Sequence, residues 1–276
     1  MAISVHTNTS ALTALQNLNK TNEELFMVQN RINTGLAIGT AKDNAAVWSI
    51  AQGQRADIGA LSAVKMSLDR AKSISDVALT AGASVSDLLV QLKEKVVTAM
   101  DPSLSPESRN AVNSDYKSIL KQITQVIQNS TFDGANILDS SITGGIRFLA
   151  NADANAYITL SSKNMSLGSG IITLTAASSI GTVTLATAAM TALTTSIANV
   201  NQSLGDLGSQ SKQIENHNTF VSKLTDVLTA GVGNLVDADL AKESARLQAL
   251  QVQQQLGAQA LSIANQAPQI ILSLFK

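Results

Sequence analysis

The stretch Leu61 to Ala99, LSAVKMSLDRAKSISDVALTAGASVSDLLVQLKEKVVTA, decides the fold. Positions 61, 64, 68, 71, 75, 78, 82, 85, 89, 92, 96 and 99 follow alternating steps of three and four, and only Ser75 and Gly82 interrupt the apolar series. Such spacing holds one stripe on one side of an α-helix. Counted from Asp43 to Met100, it predicts a rod of roughly 85 Å at about 1.5 Å per residue. A sustained heptad calls for partner helices along its length.

Outward from this rod the pattern continues in both directions. Asp101-Pro102 ends it, and Ser105-Pro106-Glu107 restarts a helix with a cap and a proline at its first position. Val112, Tyr116, Ile119, Ile123 and Val126 keep the spacing, and the short loop predicts an antiparallel pair. Upstream, Asn8 or Thr9 caps a first helix with Leu15, Leu18, Leu25 and Ile32 on its seam, Asn22 and Gln29 at the remaining seam positions, and Gly35 as its stop. Gly35 to Gly39 reads as a joint, and Thr40-Ala41-Lys42-Asp43 as a capping-box variant opening the rod.

From about Ser130 to Thr187 the texture turns strand-like, with candidates at Ile146 to Leu149, Tyr157 to Leu160, Ile171 to Thr175 and Thr182 to Leu185. Helical spacing returns at Leu193, Ile197, Val200, Leu204, Leu207, Ser211, Ile214, Asn218, Val221, Thr225, Leu228 and Val232. After Gly231 and Gly233 a last helix runs from about Asp237 toward Pro268, with a narrow seam of Leu240, Leu247, Leu250 and Leu261 beside Gln251, Gln253, Gln254 and Gln255. The expected fold is mainly α: a long antiparallel helical coiled-coil bundle formed by both chain halves, with a small β-hairpin region in the middle.

The chain ends on Ile270-Ile271-Leu272-Ser273-Leu274-Phe275-Lys276, where termini are usually polar. That apolar surface needs cover from the other end of the chain, from another copy, or from both. Glutamines in the last seam make poor core for a stand-alone bundle, which points to assembly rather than to a pocket.

Composition agrees. Of 276 residues 45% are hydrophobic but only 3% aromatic, which suits close helix packing by small and aliphatic side chains. Charged residues make up 14%, well below the quarter usual for globular domains, so large surfaces can meet without strong repulsion. A net charge of -1 leaves no footprint for nucleic acid or anionic lipid. There is no cysteine, hence no disulfide, thiolate nucleophile or cysteine-ligated metal. The start, Met1-Ala2-Ile3-Ser4-Val5-His6, lacks the basic cluster and apolar core of a secretory signal, so export would need a dedicated machine. Asn164 to Gly205 is uncharged, but Thr, Ser, Gly and Asn interrupt it too often for a membrane span. His6 and His217 are isolated and no H-E-x-x-H occurs, so neither a zinc site nor an enzyme is expected. Asp237, Asp239 and Glu243 read as first-turn acids favoured by the helix dipole.

One block, Arg31-Ile32-Asn33-Thr34-Gly35-Leu36-Ala37-Ile38-Gly39-Thr40-Ala41-Lys42-Asp43-Asn44-Ala45-Ala46, is similar to R-L-S-S-G-x-R-I-N-S-A-K-D-D-A-A of bacterial flagellins. Phe132-Asp133-Gly134 with Ile137-Leu138 resembles their F-N-G-x-x-L-L. Val236-Asp237-Ala238-Asp239-Leu240-Ala241-Lys242-Glu243, Ala264-Asn265-Gln266-Ala267-Pro268-Gln269 and Leu272-Ser273-Leu274-Phe275-Lys276 match the family tail. The resemblance covers the chain except roughly residues 140 to 190.

The resemblance implies a short form: an inner terminal coiled-coil domain (1–35 and 234–276), a joint (36–44), a helical rod domain (45–139 and 186–233) and a β-hairpin part of the rod (140–185). Its ends would be disordered in the monomer and fold on polymerisation into the extracellular filament used for motility. Assembly residues would be Leu15, Leu18, Leu25, Ile32, Leu240, Leu247, Leu250, Leu261, Ile271, Leu272, Leu274 and Phe275, with Gly35, Thr40 and Asp43 at the joint and cap. Implied partners are further copies of the chain, a flagellin export chaperone, the flagellar type III export apparatus, and junction and cap proteins, with no cofactor, nucleic acid or membrane insertion. A hook-filament junction protein, which shares the terminal helices, is the alternative; a helical signalling scaffold is a third reading. Ala37 and Gly39 replace a family arginine and asparagine. Gln91, Leu92, Glu94 and Lys95 lie in the segment read by the animal innate immune receptor for flagellin. Gln91 replaces an arginine there and Lys95 a leucine, so weak or absent recognition is expected. Trp48 suits an intersubunit anchor and a packing role in its own bundle equally. Ser and Thr between Ser140 and Thr195 could carry glycans or simply a solvated surface.

Overall fold

The structure, a computed structural model, describes residues 7–274, with side chains through residue 266. Five helices and one hairpin follow in order: α1 Thr9–Thr34, α2 Ala45–Ala99, α3 Pro106–Asn129, β1 Ile146–Leu149, β2 Tyr157–Leu160, α4 Val183–Val236 and α5 Leu240–Leu274. The chain forms two compact units, one of Met1–Ala56 with Val227–Lys276, the other of Asp57–Asp226.

In the second unit the heptad reading of α2 holds at every position. Leu61, Val64, Leu68, Ala71, Ser75, Ala78, Gly82, Val85, Leu89, Leu92, Val96 and Ala99 are all buried. Helix α4 runs antiparallel to α2: Ser86 Oγ donates to Asn201 Oδ1 at 3.3 Å and Asn218 Nδ2 to Asp69 Oδ1 at 2.6 Å. Gly82 belongs to the stripe because Leu204 fills its place; a Cβ there would stand 2.4 Å from Leu204 Cδ2. Leu193, Val200, Leu207, Ile214 and Val221 supply the buried side of α4.

Helix α3 begins as its sequence dictates. Ser105 Oγ accepts the Ser108 N–H at 3.2 Å, with Pro106 in the first turn. Arg109 closes the α2–α3 turn, donating from Nε to Ala99 O at 3.1 Å and from Nη2 to Asp101 O at 2.7 Å. The Ala99 carbonyl lies at the helix end, where the intrahelical partners run out, and the Asp101 carbonyl also accepts the Leu104 N–H at 3.3 Å. Tyr116, Ile119, Leu120, Ile123 and Ile127 form its buried face.

Two of the four expected strands form. β1 and β2 pair antiparallel, Ile146 opposite Leu160 and Leu149 opposite Tyr157, with Phe148 and Leu160 buried. Ile171 to Thr175 is irregular, held by a bridge between Leu167 and Ile172 and by Thr173 N–H donating to Ser196 Oγ at 3.0 Å. Thr182 to Leu185 opens α4 instead, because the Thr182 hydroxyl accepts the Leu185 N–H at 3.3 Å as a helix cap would. The segment is anchored by the buried Asn136. Its Nδ2 donates to Ile127 O at 2.7 Å, and its Oδ1 accepts from Leu138 N at 2.8 Å and Ser130 Oγ at 3.2 Å.

Helices α2 and α4 each hold an 18-residue window of mean hydropathy 1.3, enough to cross a membrane by length and composition. Of those windows 33% and 28% is buried in the fold, which in each helix is the heptad stripe.

Candidate assembly surface

The first unit pairs α1 with α5. Asn8 caps α1 through Oδ1, which accepts the Ala11 N–H at 3.0 Å, and Gly35 ends it at φ +72, its N–H bonded to Arg31 O at 2.9 Å. A left-handed C-cap of this kind favours glycine. The inward stripe of α1 is Ala11, Ala14, Leu18, Thr21, Leu25, Val28 and Ile32. Leu18, Leu25 and Ile32 therefore lie where expected, while Leu15 stands off the seam at 43% exposure and Asn22 and Gln29 are exposed. The seam takes the smaller neighbours, Ala14 and Thr21, because α5 comes close: a Cβ on Gly257 would sit 3.2 Å from Leu18 Cδ1.

On α5 the cap is Asp239, whose Oδ1 accepts from Ala241 N at 3.0 Å and Lys242 N at 3.1 Å. Its seam carries Glu243, Leu247, Leu250, Gln254, Gly257, Leu261 and Ala264, and Leu240 lies outside it. Ile271, Leu272 and Leu274 fall on the α5 backbone with side chains outside the described residues, and Phe275 lies outside them altogether.

Polar rungs join the pair. Arg31 Nη1 meets Glu243 Oε1 at 3.2 Å, Arg246 Nη2 meets Glu24 Oε2 at 3.3 Å, Gln254 Nε2 donates to Asn22 Oδ1 at 2.7 Å and Asn8 Nδ2 to Ala264 O at 2.7 Å. None of these rungs is visible in the apolar pattern. Their only sequence signal is complementary polar groups on the two arms.

At the joint, Ala37 N–H donates to Val236 O at 2.7 Å and Ala238 N–H to Gly35 O at 2.8 Å, tying the two arms through backbone alone. Asp43 does not cap α2. Its Oδ2 accepts from Thr40 N at 2.9 Å, Thr40 Oγ1 at 3.1 Å and Gly39 N at 3.1 Å, closing a small loop. Thr40, by backbone and then hydroxyl, with smaller help from Gly39 and Arg31, holds the Asp43 carboxyl below its ordinary value against a slight opposing effect of burial. The cap is Asn44, whose Oδ1 accepts from Ala46 N and Val47 N, both at 3.2 Å.

The outward faces distinguish this unit. Leu12, Leu15 and Phe26 share one side of α1 outside the seam, Leu12 and Leu15 flanking it beside Leu261 of α5 and Phe26 71% exposed. Val252, Leu256 and Ile263 lie opposite the seam of α5, the last two 58% and 69% exposed. Ala245 and Ala249 precede them at heptad spacing, and Ala267, Ile270 and Leu274 continue it in the sequence. A helix apolar on two faces buries only one against a single partner. Among the described residues no group of three His, Cys, Asp or Glu is placed to hold a metal.

Residues 5–143 match the bacterial flagellin N-terminal helical region, and residues 190–275 match the C-terminal helical region. The chain belongs to the bacterial flagellin family. It is 56% identical to flagellin FljJ and 51% identical to flagellin FljM of Caulobacter vibrioides, covering 99% and 98% of those chains with 100% and 99% of its own. It is 40% identical to a flagellin of Brucella melitensis over 99% of both chains. The crystal structure of Bacillus cereus flagellin superposes with a TM-score of 0.51 at 19% identity, covering 60% of this chain and 94% of that one, which shows the shared fold.

As a flagellin the chain is a structural subunit of the flagellar filament, and nothing among its relatives favours a junction protein. Toward the end of α2, Gln91 and Glu94 are exposed, Lys95 pairs with Asp115 at 3.1 Å and Leu92 is fully buried. Trp48 is half-buried.

Proposed function

We propose that the α1–α5 pair is the polymerising surface of this flagellin, working through Leu15, Leu18, Leu25, Ile32, Leu240, Leu247, Leu250, Leu261, Ile271, Leu272, Leu274 and Phe275. Residues 1–35 and 234–276 form the inner domain of the filament, 36–44 the joint, 45–139 and 186–233 the surrounding rod, and 140–185 its hairpin. Copies stack through heterologous contacts that do not close, so the polymer is open and helical. Ordering of the ends is coupled to assembly, since burying their second apolar faces offsets the entropy of fixing them.

The observation that carries this reading is the doubled apolar character of α1 and α5, each with a seam inward and large aliphatic or aromatic side chains outward. Leu15 and Leu240, off the intramolecular seam, serve contacts between copies. The filament is extracellular and has no catalytic role. The chain reaches it through an export chaperone and the flagellar type III apparatus, and meets junction and cap proteins at its ends. The exposed Gln91 and paired Lys95 leave the immune receptor a poor target. Deleting residues 270–276 is expected to abolish polymerisation, measured by sedimentation and electron microscopy, while circular dichroism of the remaining helices is kept. A truncated chain that still forms filaments overturns the proposal.

A further inference from the structure

We infer that the rungs Arg31–Glu243, Glu24–Arg246 and Asn22–Gln254 set the register in which α1 and α5 pair, and that this register keeps every copy on one lattice; the second clause rests on the terminal helices being the polymerising surface. An apolar heptad is nearly degenerate toward a slip of seven residues, which brings each seam position to the next equivalent one. Here the seam is permissive as well. Leu18, now against Gly257, would meet Leu250 or Ala264, both seam residues. Val28 and Leu250 are the described large apolar side chains of this seam that are fully shielded. The backbone bridge at the joint reads no side chain.

The rungs do not repeat every seven residues. A slip in one direction sets Glu243 against Glu24 and Arg31 against Val236. The opposite slip sets Arg31 against Leu250 and leaves the Glu243 side chain, 11% exposed, without its guanidinium. Each wrong register thus carries like charges or an uncompensated, nearly buried carboxylate that the observed one avoids. Ion pairs as exposed as Arg246–Glu24 add little to stability, so their effect falls on choice of register rather than on strength.

The chain has no cysteine, so introduced pairs report register without background. In filaments of the full chain, Leu18→Cys with Gly257→Cys reports the register described here. Leu18→Cys with Leu250→Cys or with Ala264→Cys reports the two slips. After oxidation, the intramolecular bond is read as a mobility shift of the monomer on a non-reducing denaturing gel. The 18–257 bond is expected to dominate in the parent chain. Adding Arg31→Glu should raise the 18–264 slip bond about tenfold relative to it, and the reversed pair Arg31→Glu with Glu243→Arg should restore the dominance of 18–257 over 18–264. If Arg31→Glu abolishes all three bonds, recovery of 18–257 alone in the reversed pair supports the inference, and failure to recover it overturns it. Unchanged 18–257 dominance in Arg31→Glu also overturns it. A parent chain that forms the 18–257 bond in solution but never a filament would sink the assembly reading alone, and the register comparison then stands on the soluble chain.

Discussion

Replacing Leu256 and Ile263 together by glutamine tests whether the outer face of α5 drives assembly. Both are exposed in the single chain, at 58% and 69%, so their loss creates no cavity, and glutamine is about as good a helix former. Burying a leucine or isoleucine completely is worth about 1.5–3 kcal/mol. Scaled by the exposed share, each side chain has roughly 1–2 kcal/mol still to gain from a neighbour. Loss of both costs assembly about 3 kcal/mol, which raises the critical concentration for polymerisation roughly a hundredfold. Sedimentation of filaments over a dilution series measures that concentration directly. Circular dichroism and the thermal midpoint of the dispersed chain should stay within error of the parent. An unchanged critical concentration would mean that this face is not buried between copies. A lowered midpoint of the dispersed chain would mean that the two side chains support the monomer instead.

Two further outcomes concern the second unit. Burial raises the Tyr116 hydroxyl to about 12, an effect the nearby Ser178 hydroxyl opposes, and the oxygen itself has no hydrogen-bond partner. Between pH 10 and 12 the unfolded chain ionises this phenol and the folded chain does not, so stability is full below pH 10 and falls by up to about 3 kcal/mol on approaching pH 12. Tyr116→Phe should be nearly neutral at pH 7 and should flatten that alkaline loss in urea titrations; an equally steep loss in the variant refutes the assignment. Gly145 has φ +92, and a Cβ there would lie 2.3 Å from Leu160 O and 2.9 Å from Ser161 Cα. Gly145→Ala should therefore destabilise the unit by about 2–4 kcal/mol. Gly144→Ala, at φ +84 in open space, should cost only about 1–2. Equal urea midpoints for the two would count against the backbone clash.

How far the fold was legible depended on what each residue had to do. The α2 stripe was readable because one rule, period and polarity, governs a helix packed along its length, and even Ser75 and Gly82 followed it. In α1 the rule misplaced Leu15, since the close approach of Gly257 favours Ala14 and Thr21 on the inner side over larger apolar neighbours. Thr182-Val183-Thr184-Leu185 looked like a strand by its β-branched residues, yet one hydroxyl bond from Thr182 starts a helix there. Asn136 carried no periodic signal, and neither did the rungs of the terminal pair, because hydrogen bonds between distant segments leave no local pattern. Glutamines taken as weakness in the last seam include Gln254, which is a rung.

The contrast between the two units argues for assembly independently of family. The same chain uses the same heptad in both. In the second unit Leu68, Leu89 and Leu92 reach zero exposure within a single copy. In the first, Phe26, Leu256 and Ile263 remain mostly exposed while the seam between α1 and α5 is bridged by amides and ion pairs. Fixing a backbone residue costs about 1–2 kcal/mol in either place, but the second unit buries far more apolar side chains of its own to offset it than the first, whose buried apolar residues are Val28, Ala51, Val232, Val236 and Leu250 among those described. Polar rungs cannot close the gap, since exposed pairs contribute little. They can do something an all-leucine seam could not, which is to hold one register while leaving the pair too weak to persist without neighbours. On the proposed assembly, where ordering of the terminal pair is coupled to polymerisation, a subunit requires both properties at once.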